Sequence, residues 1–344
     1  MDASTTESHV RTTDRGGAPL GTFRADSRAS SSPLRITVLA GGPSAERAVS
    51  LESGRAVHAA LSRLGHRCAL RDVVPDDLSA LEEPTDFVFI ALHGAFGEDG
   101  TVQAELDRRG ICYSGSGAAA SRLAMDKSAA KHRFAEVGVP TPPHEVVDAS
   151  RRAGLATRFG IPAVVKPVDS GSSVDTVIVR SAERLEPEAA RLVGQYGRAL
   201  VERYIRGPEL TVGIVGDTAL PVCQIIPAGE FYDYHAKYVA DDTEYRFDID
   251  LPETLLQRVR ELSLRAHRAL ACDVFSRVDW MVDAETREPY CLEINTIPGF
   301  TSHSLLPKAA ARIGVSFDAL CERIVRLSTA KSAGAVGPAR SAVR

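Results

Sequence analysis

Residues 276–306, SRVDWMVDAETREPYCLEINTIPGFTSHSLL, set Arg277, Asp279, Glu293 and Asn295 in one short stretch that ends in a glycine-serine turn. Two runs rich in β-branched and aromatic residues, 276–282 and 290–294, flank the polar segment 283–289, which predicts an antiparallel hairpin. Side chains alternate along a strand, so Arg277 and Asp279 share a face, as do Glu293 and Asn295. A suitable register then brings all four together. Two carboxylates and an amide oxygen, without His or Cys, are hard donors that suit Mg2+, an ion that keeps several waters and is shared with substrate phosphates. The alternative is a solvated acidic face on an antiparallel pair.

The chain that must position this hairpin has 344 residues, enough for two or three domains with real cores. Its net charge of -4 is spread without a basic patch, which gives nucleic-acid binding no electrostatic support. No run approaches the roughly 20 apolar residues of a bilayer-crossing helix. The six cysteines stand singly in mostly apolar runs and read as buried thiols, not a zinc site or redox pair. With no secretory apolar region near the N-terminus, a cytoplasmic location is expected. Residues 1–33 are poor in large apolar side chains and read as a disordered tail. Asp2, Glu7, Asp14 and Asp26 count against a transit peptide there.

The segment 34–40 reads as a buried strand entering the turn Gly41-Gly42, then a helix capped by Ser50 and ended by Gly65. There is no G-x-G-x-x-G, so a dinucleotide site has no motif behind it. Glu46 in that turn is either a surface acid favoured by the helix dipole or a ligand. A second buried strand, 86–92, runs into His93 and the loop GAFGEDG, and loops at strand ends carry ligands in open α/β sheets. Residues 118–137 have helical composition and contain Lys127. The strand 162–166 ends in Lys166 and the loop KPVDSGSSV, where Ser172 and Ser173 offer amides and hydroxyls suited to phosphate. Glu202, Ile205 and Glu209 lie where a strand, 199–205, ends, a mixture able to hold adenine and ribose. The loop FYDYHAKY carries Lys237 and Tyr238 among aromatic residues. Helices follow at 255–269, introduced by Pro252, and at 317–327, before a small, polar tail.

Taken in order, GGPSAERAVSLESG, ALHGAFGEDGTVQ, MDKSAAK, VVKPVDSGSSV, ERYIRGPELTV, FYDYHAKYVADDTEY, SRVDWMV and LEINTIPGFTSHSLLP resemble the D-alanine:D-alanine ligases of the ATP-grasp superfamily. The likeness spans residues 34–327. It implies an α/β and α+β ATP-grasp fold: an N-terminal α/β (pre-ATP-grasp) domain at 34–120, a central subdomain at 121–210, a C-terminal subdomain at 211–328 and a disordered tail at 329–344. It further implies an ATP-dependent ligase of the peptidoglycan pathway. The γ-phosphate passes to the carboxylate of one D-alanine, and the amine of a second attacks the acylphosphate. By the same resemblance Lys127 and Lys166 hold the α and β phosphates, Lys237 reaches the γ-phosphate, Ser173 lines the phosphate loop, and Glu202, Ile205 and Glu209 bind adenosine. Asp279, Glu293 and Asn295 would hold two Mg2+ ions, with Mn2+ as a substitute. Arg277 and the Gly299 amide would stabilise the oxyanion. Glu46, Ser172 and Tyr238 would form a triad at the first D-alanine, and Ser304 and Leu305, with His93 nearby, would form the second subsite. Tyr238 goes with a dipeptide product, and a homodimer is expected. The alternatives are a D-alanine:D-lactate or D-alanine:D-serine ligase, or a non-catalytic ATP-binding regulator. The chain departs from the family pattern at Ser170 and Asp175, where glutamate and glycine are usual, and at Ala48 and His235, which replace acidic residues. Asp175 facing the triphosphate would weaken nucleotide binding.

Overall fold

The computed structural model describes residues 32–150, 154–229, 242–301 and 304–335. The first sheet is parallel, in the order β2 (Arg67–Asp72), β1 (Arg35–Ala40), β3 (Phe87–Ile90). All four residues of β3 are buried, as expected of a parallel strand covered on both faces. Helix α1 begins at Arg47 and runs to Arg63, earlier than the Ser50 cap expected from sequence. Ser50 lies inside the helix, fully buried. Its hydroxyl donates to the Ala91 carbonyl at 2.7 Å and accepts from the Gly41 amide at 2.9 Å, pinning α1 to the ends of two strands.

The stretch expected as one helix at 118–137 is two, separated at Asp126: α3 (Ala118–Met125) and α4 (Lys127–Glu136), after α2 (Thr101–Arg109). The break has a local cause. Asp126 is extended and its carboxylate accepts from the Ala129 amide at 2.9 Å, an N-cap that restarts the helix in a new direction.

A four-stranded antiparallel sheet follows, ordered β4 (His144–Val147), β7 (Ala199–Arg203), β5 (Ala163–Pro167), β6 (Val177–Val179). Its core is closed by α5 (Leu155–Phe159) and α6 (Ala182–Tyr196) through Leu155, Leu185, Ala189 and Leu192.

The third sheet is antiparallel, ordered β11 (Glu244–Arg246), β10 (Cys223–Ile226), β8 (Glu209–Val215), β12 (Phe275–Val282), β13 (Pro289–Asn295), with β9 (Thr218–Ala219) also on β8. Helix α7 (Glu253–Ala269), introduced by Pro252, packs on it through Leu255, Val259, Leu262 and Ala266. Helices α3 and α4, expected with the central subdomain, share this core through Ala124, Ala130 and Phe134.

Helices α8 (Leu305–Arg312) and α9 (Phe317–Ala335) fold back on the first sheet, where Leu306, Leu320, Cys321 and Ile324 meet Val57, Leu61 and Phe89. Helix α9 continues past the expected boundary into the predicted tail at 329–344. Ser328 and Thr329 turn their hydroxyls onto the carbonyls of Ile324 and Val325, satisfying themselves within the helix, and Lys331 pairs with Asp273 at 2.7 Å. All six cysteines are unpaired, and no helix among the described residues is long and apolar enough to cross a membrane.

Candidate active site

The β12–β13 hairpin has the register that the sequence required. Arg277 pairs with Asn295 and Asp279 with Glu293, and a bulge follows in which Leu292 is the extra residue. Like charges directly opposite on one face repel, so Asp279 and Glu293 need cations. Arg277 donates to both oxygens of buried Asp279, at 2.9 and 2.8 Å, and Thr211 on β8 adds a 2.7 Å hydrogen bond. Glu293 is met by Lys127 Nζ at 3.2 Å, which also donates to the Ser170 carbonyl at 2.5 Å. Asn295 Oδ1 accepts from the Ile297 amide at 2.8 Å. Two facing carboxylates and an amide, all oxygen donors, fit a divalent ion of the Mg2+ type, with Arg277 and Lys127 as the neighbouring positive charge.

Lys127, Glu293, Asn295 and Arg277 line one cleft together with Glu46, Glu98, Gly171 and Ser172. Each sheet or its connections contributes. Glu46, buried at the start of α1, accepts a short hydrogen bond from the Ser172 hydroxyl and so joins the first sheet to the loop after β5. Gly94 makes the approach possible: at φ +72°, a Cβ there would stand 2.8 Å from Glu46 Oε2.

In that loop Ser172, Ser173 and Asp175 all have positive φ, at 53°, 57° and 54°, a conformation that side chains resist and glycine accepts. Asp175 turns away from the cleft. It accepts from Tyr196 Oη at 2.5 Å, Arg191 Nη1 at 3.1 Å and Gln195 Nε2 at 3.2 Å, all on α6. The Tyr196 hydroxyl, with help from Arg191, holds its carboxyl below the usual range.

Lys166 reaches Glu202 Oε2 at 2.9 Å, and Lys131, wholly buried on α4, reaches Oε1 at 2.8 Å. Burial alone would push the Glu202 carboxyl up, but the two ammonium groups hold it at about 2. Ile205 is buried close by in sequence, and Glu209 opens β8.

The loop after β13 is anchored by Phe300, whose ring packs edge-on against Phe89 and Phe275 at 5.4 and 5.7 Å, and whose amide donates to Ser53 Oγ. This fixes Gly299 beside Ser304, where a Cβ would come within 2.6 Å of Ser304 Oγ. Ser304 itself accepts from the Thr301 amide at 2.9 Å and stands at the N-cap of α8. Leu305 points elsewhere, packing with Cys223 and Ile225. His93 is buried with both ring nitrogens engaged, Nδ1 3.1 Å from the Ile297 carbonyl and Nε2 3.1 Å from Ser53 Oγ. It braces the Gly299 loop against α1. Lys237 and Tyr238 lie outside the described residues.

Comparison with known proteins decides the family. Residues 134–326 match the D-ala D-ala ligase C-terminus and residues 69–116 the D-ala D-ala ligase N-terminus. A D-alanine–D-alanine ligase of Gloeobacter violaceus is 45% identical over 299 residues, which cover 85% of this chain and 98% of that protein. The chain belongs to the D-alanine–D-alanine ligase family. Among solved members of similar fold, the Bacillus anthracis D-alanine–D-alanine ligase complexed with ATP superposes with a TM-score of 0.77 at 32% identity, covering 88% of this chain and 99% of that one. The VanG D-Ala:D-Ser ligase of Enterococcus faecalis gives 0.76 at 25% identity, covering 86% and 100%.

Three residues in or behind the cleft escaped the sequence reading. Glu98, in the loop after His93, is buried beside that imidazole, 3.5 Å from Nδ1, and burial pushes its carboxyl up. Thr211 is invisible without the pairing of β8 to β12. Lys131 was within reach, because the buried face of α4 is Lys127, Ala130, Lys131, Phe134. A lysine on the apolar face at helical spacing is itself a signal.

Proposed function

We propose that this chain is an ATP-dependent ligase that joins two D-alanine molecules into D-alanyl-D-alanine for peptidoglycan precursors. The observation that carries the reading is the convergence of Glu46, Ser172, Lys127, Arg277, Glu293 and Asn295 on one cleft in a member of this family. Phosphoryl transfer rests on positioning and charge stabilisation, and the cleft is built from cations and oxygen donors with few proton-transfer groups.

In this reading ATP lies between the four-stranded and six-stranded sheets. Lys127, Lys166 and Lys237 hold its phosphates with Ser173 in the loop above, while Glu202, Ile205 and Glu209 take the adenosine. Asp279, Glu293 and Asn295 would hold Mg2+, and the metal would neutralise phosphate charge. Glu46 receives the ammonium of the first D-alanine, and Ser172 and Tyr238 hold the loop over it. Arg277 and the Gly299 amide face the developing oxyanion, a task worth about 2.7 to 4 kcal/mol per donor in other enzymes. The Ser304 hydroxyl meets the carboxylate of the second D-alanine, with the Leu305 backbone beside it and His93 bracing the loop behind. A homodimer in the cytoplasm completes the proposal.

A non-catalytic regulator would have little use for Arg277, Asp279, Glu293 and Asn295 in one register. The outward turn of Asp175 also removes the main objection to nucleotide binding. The test is phosphate release from ATP and Mg2+ by purified protein offered D-alanine, L-alanine, D-lactate plus D-alanine, or no acceptor, with products weighed by mass spectrometry. Release that requires D-alanine and yields its dipeptide supports the proposal. A depsipeptide or no stimulated release overturns it.

A further inference from the structure

Lys131 has no task in the reaction as set out above, yet it occupies one of the costliest positions in the molecule. Its ammonium is fully buried, 2.8 Å from Glu202 Oε1 and 2.7 Å from Thr141 Oγ1, to which it donates. Thr141 in turn donates to the Cys291 carbonyl of β13 at 2.9 Å, so the lysine is moored on two sides. One cation would neutralise Glu202, and Lys166 already lies 2.9 Å from its other oxygen. Two buried lysines on one carboxylate leave an excess positive charge, which architecture alone does not reward.

The excess disappears if Lys166 leaves. Lys166 sits at the end of β5, next to the phosphate loop, and a triphosphate bound there would draw its ammonium away from Glu202. Lys131, with no route to the cleft and a threonine holding it, would stay. The carboxylate would then remain neutralised, and it has a free direction to use. Oε1 makes no hydrogen bond of acceptable angle among the described residues despite the nearness of Lys131. A buried acceptor of this kind calls for a donor.

We propose that Lys131 is the positioning residue for nucleobase recognition, holding Glu202 ionised and oriented to accept from the exocyclic amine of adenine while Lys166 serves the phosphates. The inference rests on the reading of Glu202 as an adenosine contact. Lys131 does not touch the nucleotide. It acts through Glu202, so its loss is felt in the choice of base and not in the transfer step.

The experiment uses the full chain with saturating D-alanine and compares ATP with purine riboside triphosphate, which lacks the 6-amino group. Wild type, Lys131→Met, Lys131→Arg and Glu202→Gln are assayed for kcat, KM for each nucleotide and KM for D-alanine. The expected result is a rise of tenfold or more in the KM for ATP in Lys131→Met, with kcat and the D-alanine KM within threefold. The preference for ATP over the analogue should collapse towards one, and Lys131→Arg should restore most of it. If Lys131→Met instead lowers kcat while keeping the wild-type preference, the lysine is structural and the proposal falls. Loss of preference in Glu202→Gln alone overturns the role of Lys131 but spares the adenosine contact. Wild-type preference retained in Glu202→Gln, or no preference in wild type, overturns the adenosine contact itself. Should Lys131→Met fail to fold around its altered pair, the double variant Lys131→Met/Glu202→Gln leaves Lys166 as the single charge of that cluster. It is expected to discriminate no worse than Glu202→Gln, and a further multiplicative loss contradicts action through that carboxylate.

Discussion

Asp175→Asn separates two places where this carboxylate could act. Facing the triphosphate, its charge at about 4 Å would cost between about 1 and 4 kcal/mol of nucleotide binding, depending on local dielectric. Removing it would then tighten ATP binding by roughly fivefold to several hundredfold. The structure turns it instead onto Tyr196, Arg191 and Gln195 of α6. Asparagine preserves the shape, so the KM for ATP is expected to stay within threefold of wild type. The effect should fall on stability. The Tyr196 hydrogen bond contributes about 1 kcal/mol, and the Arg191 pair adds a few tenths because that side chain is 42% exposed. Urea unfolding of Asp175→Asn should therefore show a loss of about 1 kcal/mol. Asp175→Gly loses the same contacts but relieves a φ of +54°, which offsets roughly 1 to 2 kcal/mol, so it should be no less stable than Asp175→Asn. A tenfold or greater fall in the ATP KM of Asp175→Asn would refute the placement of this side chain.

Three further outcomes follow from the same geometry. Glu293→Gln removes a carboxylate proposed to hold Mg2+, and steady-state turnover should fall by at least about a thousandfold; near-normal activity would sink the metal assignment. Gly299→Ala places a methyl 2.6 Å from Ser304 Oγ, displacing the amide proposed as an oxyanion donor, so kcat should drop by about a hundredfold while urea unfolding changes little. His267 is buried against Ser276 Oγ at 2.7 Å, and burial lowers its pKa from 6.5 to about 4. Its folded pKa is depressed, so the stabilisation is complete above about 6.5 and is lost as pH falls through about 4, on the order of 3 kcal/mol in all. His267→Asn should flatten the decline in unfolding free energy between pH 7 and pH 4, and an unchanged slope would contradict a neutral, buried imidazole.

The hairpin at 276–306 was legible because strand alternation is a rigid rule: once 276–282 and 290–294 are strands, Arg277, Asp279, Glu293 and Asn295 fall on one face in any register of the right parity. The Leu292 bulge was not legible, since an extra residue is set by the partner strand and leaves no composition signal. The start of α1 was misread because Ser50 is a good cap by type, while its hydroxyl serves tertiary bonds to Gly41 and Ala91. Residues 329–335 read as too small and polar to fold, but they extend a helix already anchored by Leu320 and Ile324. His93 and Leu305 illustrate a different limit. Sequence located both beside the ligand region, yet only packing shows that one braces a loop and the other fills a small apolar cluster.

The central claim is an acylphosphate formed from D-alanine and broken by the amine of a second, and oxygen labelling follows that chemistry directly. With D-alanine carrying 18O in its carboxylate, transfer of the γ-phosphate joins one labelled oxygen to phosphorus. Attack of the amine on the carbonyl carbon then breaks the carbon-oxygen bond. Each dipeptide formed should release one inorganic phosphate bearing one 18O, with ADP as the nucleotide product. Dipeptide formation with unlabelled phosphate, or phosphate release independent of D-alanine, would contradict the account.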